Sequence, residues 1–192
     1  FKNLNSLGKN VENYKSSPQI KLRSLIELKS EFPLIKKSEN NVQTIIPRMS
    51  LRTSPGDMKN YSDELRRINT ANIFDINRLG LDDTLEAGNS LTIGVDYNKQ
   101  NNKSNDQLLE LKLATVLRDK QDNNIPSLSS LNKKNSNLFG SIDYKISSLF
   151  NIDYNFALND KINKFDYNSI GLDVSLNNFI TEFNFIEEDT SI

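Results

Sequence analysis

Apolar residues recur at every second position along most of the chain. In Ser90–Asn98, Leu91, Ile93, Val95 and Tyr97 point one way, and Thr92, Gly94 and Asp96 the other. In Gln107–Arg118, Leu109, Leu111, Leu113 and Leu117 share a face opposite Glu110 and Lys112. Asn137–Ile146, Leu149–Leu158 and Asn178–Ile186 repeat the scheme, and Val42–Leu51 alternates around Pro47. Ile20–Phe32 alternates less cleanly. In Phe165–Leu176 the phase changes, since Phe165 and Tyr167 are odd while Ile170, Leu172, Val174 and Leu176 are even. That predicts a bulge or turn near Asn168–Ser169. A period of two is the mark of β-strands with one apolar face. The pattern predicts roughly eight or nine strands, several longer than the ~5–6 residues usual in soluble domains.

Polar connectors separate the strands. Gln100–Asp106, Arg118–Ser136 and Asp160–Lys164 are rich in Asn, Lys, Asp and Ser and read as solvated loops. The longest connector is Ser54–Asn89. Alternation leaves two architectures open. A soluble sandwich hides its apolar faces in a core. A membrane barrel turns them to lipid and lines its lumen with the polar ones. Long strands, with Asp, Lys, Glu and Asn throughout the polar face, favour the barrel.

Composition narrows function. The 192 residues include 24 Lys+Arg and 25 Asp+Glu and no His, Cys or Trp. An imidazole base, a thiolate, a disulfide and a Cys/His zinc site are thereby excluded. A net charge of -1 argues against a nucleic-acid partner. No phosphate loop or nucleophile elbow occurs. Carboxylates such as Asp143 and Asp153 stand on polar strand faces with no constellation around them, so no enzyme and no cofactor is expected. No apolar run approaches the ~20 residues of a membrane helix. The chain opens on Phe1 without a basic segment and apolar run, which suggests a piece of something longer or a processed product.

The stretch Thr44–Tyr97 carries a more specific signal. Pro47 and Arg48 sit in a strand, followed by a Tyr- and Ser-containing loop. Phe74, Arg78, Gly80 and Asp82 form an ordered phrase. Gly88–Asn89 then lead into a strand reading Thr92–Ile93–Gly94. This resembles the barrel of the LptD family, the lipopolysaccharide-assembly proteins of the Gram-negative outer membrane. That family often has Arg directly after the phrase's Asp, where this chain has Asp83.

The resemblance implies an all-β fold. It would be an antiparallel up-and-down meander, one partial domain over residues 1–192 of a large transmembrane outer-membrane barrel. At about 10 residues per strand it supplies about a third of the wall. The implied function is lipopolysaccharide transport and assembly within the LptD translocon, with no bond made or broken. The implied partners are lipopolysaccharide, the plug lipoprotein LptE, the periplasmic Lpt bridge through a separate N-terminal domain, and outer-membrane lipid. The alternatives are a general outer-membrane porin and a soluble β-sandwich binding module.

Individual residues carry narrower expectations. Arg78 is expected to pair with Asp82 or Asp75 and fasten the loop to the lumen wall, or else to be exposed. Asp82–Asp83 reads as a solvated or turn-capping pair rather than a cation site. Arg66–Arg67, Lys36–Lys37 and Lys133–Lys134 are candidate phosphate contacts. Glu187–Glu188–Asp189 reads as a solvated turn. Tyr97, Tyr144 and Tyr154 are candidates for an interfacial aromatic girdle or for mid-wall packing.

Overall fold

The computed structural model describes residues 1–9, 15–176 and 179–189. It is all-β. Eleven strands occur among the described residues: β1 (Lys2–Ser6), β2 (Gln19–Arg23), β3 (Ile26–Glu31), β4 (Leu34–Lys37), β5 (Asn41–Ser54), β6 (Gly88–Asn101), β7 (Gln107–Arg118), β8 (Leu138–Lys145), β9 (Phe150–Leu158), β10 (Phe165–Leu176) and β11 (Phe179–Glu188). A 3-10 turn at Ser127–Ser129 is the only helical element among them.

β1 and β2 form a separate antiparallel pair. The others make one antiparallel meander in chain order, from β3 and β4 through β5 to β11. β3 and β4 both pair with β5, at residues 48–53 and 42–45 respectively. They are two halves of one edge strand, broken at Phe32–Pro33. Pro47 lies opposite that break, and its carbonyl accepts the Phe32 amide at 3.1 Å. A strand residue directs N–H and C=O to the same side. The missing amide of Pro47 therefore faces the interruption, where no ladder partner is lost.

The long strands follow the alternation. β7 and β10 have the bounds expected of Gln107–Arg118 and Phe165–Leu176. The irregularity in β10 is a bulge between Phe165 and Tyr167, however, and not at Asn168–Ser169. The extra residue is Asp166. It returns Phe165 to the same face as Ile170 and Leu172, where its ring meets Phe156 edge-on at 6.0 Å.

Polarity of the two faces decides between the architectures left open. Phe183 and Phe185 are 63% and 62% exposed, and Leu28, Met49, Leu51, Ile93, Val95, Leu113 and Ile170 are also exposed on the same face. On the opposite face Ser50, Thr92, Arg52 and Ser90 are buried. A soluble sandwich has the reverse arrangement. The apolar face meets the surroundings and the polar face is covered, as a wall facing lipid requires.

The cover comes from the chain itself. Residues 55–87, joining β5 to β6, lie against the polar face as a strap. Thr70 reaches Ser141 of β8 at 2.9 Å, and Arg67 meets Tyr167 of β10 and Glu188 of β11. Under the strap lies the buried core. Met58, Ile68, Ile73, Phe74, Leu79 and Leu81 of the strap pack with Ala114, Val116, Phe139 and Ala157 of the wall. Each such large side chain contributes about 1.5–3 kcal/mol on full burial. The Arg118–Ser136 stretch, expected as a solvated loop, instead ends β7 at Arg118 and joins this core through Ile125 and Leu131, both fully buried.

Candidate functional site

The strap is fastened to the wall at one polar cluster. Its centre is Glu86, which is buried together with Arg78, Arg118 and Arg52. Arg78 donates from Nε to Glu86 Oε2 at 2.7 Å and from Nη2 to Oε1 at 2.5 Å. Its remaining donors go to the wall, Nη1 to Thr92 Oγ1 at 2.9 Å and Nη2 to Ser90 Oγ at 3.1 Å. Arg118, the last residue of β7, donates to Glu86 Oε1 and to the Ala87 carbonyl. Burial alone would push the Glu86 carboxyl up. The charge and hydrogen bonds of Arg78, then the charges of Arg52 and Arg118, hold it down at about 2. Glu86 is thus an anion at any physiological pH.

A second set of contacts grips the strap backbone. Arg52 of β5 donates to the carbonyls of Asp75 and Ile76 at 2.8 and 2.7 Å, and Lys29 of β3 donates to the Phe74 carbonyl. Three consecutive carbonyls are therefore held by cations from the wall. The Phe74 ring lies over Gly94 of β6, where a Cβ would come within 3.0 Å of two ring carbons. The Arg48 guanidinium sits 4.3 Å from the same ring's centroid. Arg48 is held in turn by Glu31 at 2.8 Å and Asp96 at 3.2 Å.

The residues singled out in the sequence are mostly brought together here. Arg48, Phe74, Arg78 and Gly94 are in the cluster, and Pro47 adjoins it on the outer face. Gly88 starts β6 at φ +90° with Arg118 Nη2 3.0 Å from where a Cβ would stand, so the turn into the wall admits no side chain. Asn89 bridges Thr53 at 2.6 Å and Asp119 at 2.8 Å. Gly80, at φ +62°, closes a turn through its amide to the Asn77 carbonyl. Asp82 is exposed and outside the cluster. Arg78 pairs with neither Asp82 nor Asp75; its partner is Glu86, because only that carboxylate is buried beside it. Asp83, in the position where the family often has Arg, accepts Lys59 at 3.0 Å and Tyr61 at 2.6 Å. Reasoning from sequence missed Glu86, Arg52 and Arg118. The two arginines did carry a signal, since each lies on the polar side of its strand.

Two further expectations change. Glu187 and Glu188 belong to β11 rather than to a solvated turn, and Asp189 pairs with Lys164. Arg67 is occupied by Glu188 and by the Tyr167 ring, 5.5 Å away.

The sequence model of one protein family, LPS transport system D (LptD), matches residues 2–188. The chain belongs to the LptD family. The match runs from β1 into the last residue of β11, well beyond Thr44–Tyr97. LptD proteins serve lipopolysaccharide transport at the outer membrane; this is a transport family rather than an enzyme family. No curated protein matches the sequence.

Proposed function

We propose that this chain is a sector of the LptD barrel wall, and that its strap closes one end of the polar lumen through which the sugars of lipopolysaccharide travel. The observation that carries this reading is the inverted polarity of the sheet together with a strap clamped across its polar face. The described sheet has two edges, at β3–β4 and at β11. In lipid such edges must be paired by further strands. Lipopolysaccharide acyl chains would pass to the bilayer through a seam in the completed wall.

The connections differ at the two ends of the strands. Residues 55–87, 119–137 and 159–164 lie at one end, and the short turns 38–40, 102–106 and 146–149 at the other. Outer-membrane barrels carry their longer loops outside the cell. The strap end is therefore extracellular in this reading. Tyr97 and Tyr154 lie in one cross-strand row of the outer face, through Leu111 and Ile142, and Tyr144 lies next to it. They suit the girdle near the short-turn end. Leu65 and Ile76 are 80% and 62% exposed on the strap and give the plug lipoprotein LptE an apolar contact.

The test uses the intact protein in its host. Photo-crosslinkers at Leu65 and Ile76 should capture the plug. Deletion of the strap core should lower surface arrival of newly made lipopolysaccharide while other barrels still insert. Normal arrival with the strap removed would refute the assignment. Ion conductance without any effect on surface lipopolysaccharide would favour a general porin.

A further inference from the structure

Where the strap passes over β8–β10 it does not close on the wall. A cavity of about 690 Å³ remains between the strap, residues 127–133 and the strands. That volume is in the range of small-molecule sites. Its apolar lining comes from Ile68, Leu128, Phe139 and Ala157. Around this lie the amides of Asn69, Asn132, Asn137, Asn155 and Asn159. Charges of both signs complete it: Arg67, Lys133 and Lys164 against Asp160, Asp166 and Asp189.

The lining selects by exclusion. An anion such as a phosphate meets three carboxylates. Two of the three cations are already engaged, Arg67 with Glu188 and Lys164 with Asp189. A cation meets those same basic groups. A purely apolar ligand strands the amides, and burying an unpaired polar group is costly. Two amide oxygens in this lining, Asn132 Oδ1 and Asn137 Oδ1, are buried without a hydrogen-bond donor and present no surface to the cavity. Asn137 is otherwise held by its Nδ2 on Asp166 Oδ2 at 2.9 Å. A neutral polyhydroxylated ligand fits this lining. Its hydroxyls donate to the carboxylates and to Asn155 Oδ1, accept from Lys133 and from the side-chain nitrogens of Asn69 and Asn132, and its C–H face lies on the apolar lining.

We infer that this cavity is a binding site for neutral sugar rings, built to accept unphosphorylated saccharide. It rests on the lining of the cavity and extends the transport reading, but either can fail alone. The sugar has two sources, the glycan of the host's own lipopolysaccharide or a free saccharide from outside.

Saturation-transfer NMR on the intact protein in detergent tests it. One arm uses oligosaccharide released from host lipopolysaccharide and dephosphorylated; the other uses unrelated neutral oligosaccharides such as maltotriose and chitotriose. Transfer to the first arm alone assigns the host glycan, and transfer to the second assigns a free saccharide. Ala157→Phe should fill the cavity and abolish transfer. The milder Asn155→Ala, at a residue that lines the cavity from β9, should weaken binding roughly tenfold, the loss of one or two hydrogen bonds. No transfer in either arm, or transfer unchanged in both variants, overturns the inference. So does tighter binding of the phosphorylated form than of its dephosphorylated counterpart. Surface arrival of lipopolysaccharide in the same strains reports separately on the transport reading.

Discussion

Replacing Glu86 by Gln removes the one carboxylate in direct contact with two buried guanidinium groups. The amide retains shape and some hydrogen bonding, so the loss is mainly of charge. Its size follows from the carboxyl's acidity. A fall from 4.5 to about 2 on folding corresponds, at about 1.4 kcal/mol per pH unit, to about 3–4 kcal/mol. Removing one partner from a buried ion pair costs about 3–5 kcal/mol, which agrees. The strap is held to the wall through this cluster, so the loss falls on strap opening before it falls on the sheet. The lower end of that range, about 3 kcal/mol, raises the open population roughly hundredfold. Proteolysis reads that population when closing is fast relative to cleavage. Glu86→Gln in the intact, detergent-solubilised protein should therefore speed cutting within residues 55–87 roughly hundredfold. The strands should remain protected. Cutting at the unsubstituted rate would refute the view that Glu86 is the strap's anchor.

The strand pattern was legible in the sequence because a wall with one lipid face repeats a two-residue period along most of each long strand. β7 could be bounded to the residue for that reason. The strap was legible as an interval between strands, with Arg78 as the residue expected to fasten it to the wall, as its bonds to Thr92 and Ser90 do. The carboxylate partner was not, because Arg78 finds Glu86 eight residues on, and Arg118 and Arg52 reach the same site from two strands of the wall. No local spacing encodes such convergence. Arg118–Ser136 misled through composition. Its Asn, Lys and Asp side chains suggest solvent, yet Ile125 and Leu131 are fully buried and the buried hydroxyls of Ser130 and Ser136 bond to backbone beside them. The Asp166 bulge was displaced in the reading because alternation shows that a phase changes, and the polar residues Asp166, Asn168 and Ser169 leave the place ambiguous.

Further outcomes follow from the same geometry. The Glu86 carboxyl is more acidic in the folded protein, so its stabilisation is complete above about pH 5 and disappears as pH falls towards 2; strap cleavage by an acid-active protease should rise over that window and stay flat in Glu86→Gln. Gly94→Val places a Cβ 3.0 Å from the Phe74 ring and 2.9 Å from the Leu113 carbonyl; it should displace Phe74 and destabilise the strap by about 1–3 kcal/mol, seen as faster hydrogen exchange at residues 72–78. Leu113→Arg on the outer face should cost about 2–4 kcal/mol in bilayers by reversible unfolding. The neighbouring wall residue Lys112, on the inner face, should tolerate Gln with little change.

The central claim is that the apolar face of this sheet meets lipid and the polar face lines an aqueous lumen. The chain has no cysteine, so each introduced thiol reports alone within it. The most direct measurement is single-cysteine scanning along β6 in intact cells, from Ile93 to Asn98. Water-soluble maleimide should label Asp96 and Asn98, and only a membrane-partitioning reagent should label Ile93, Val95 and Tyr97. Equal labelling of both sets by the water-soluble reagent would contradict the account.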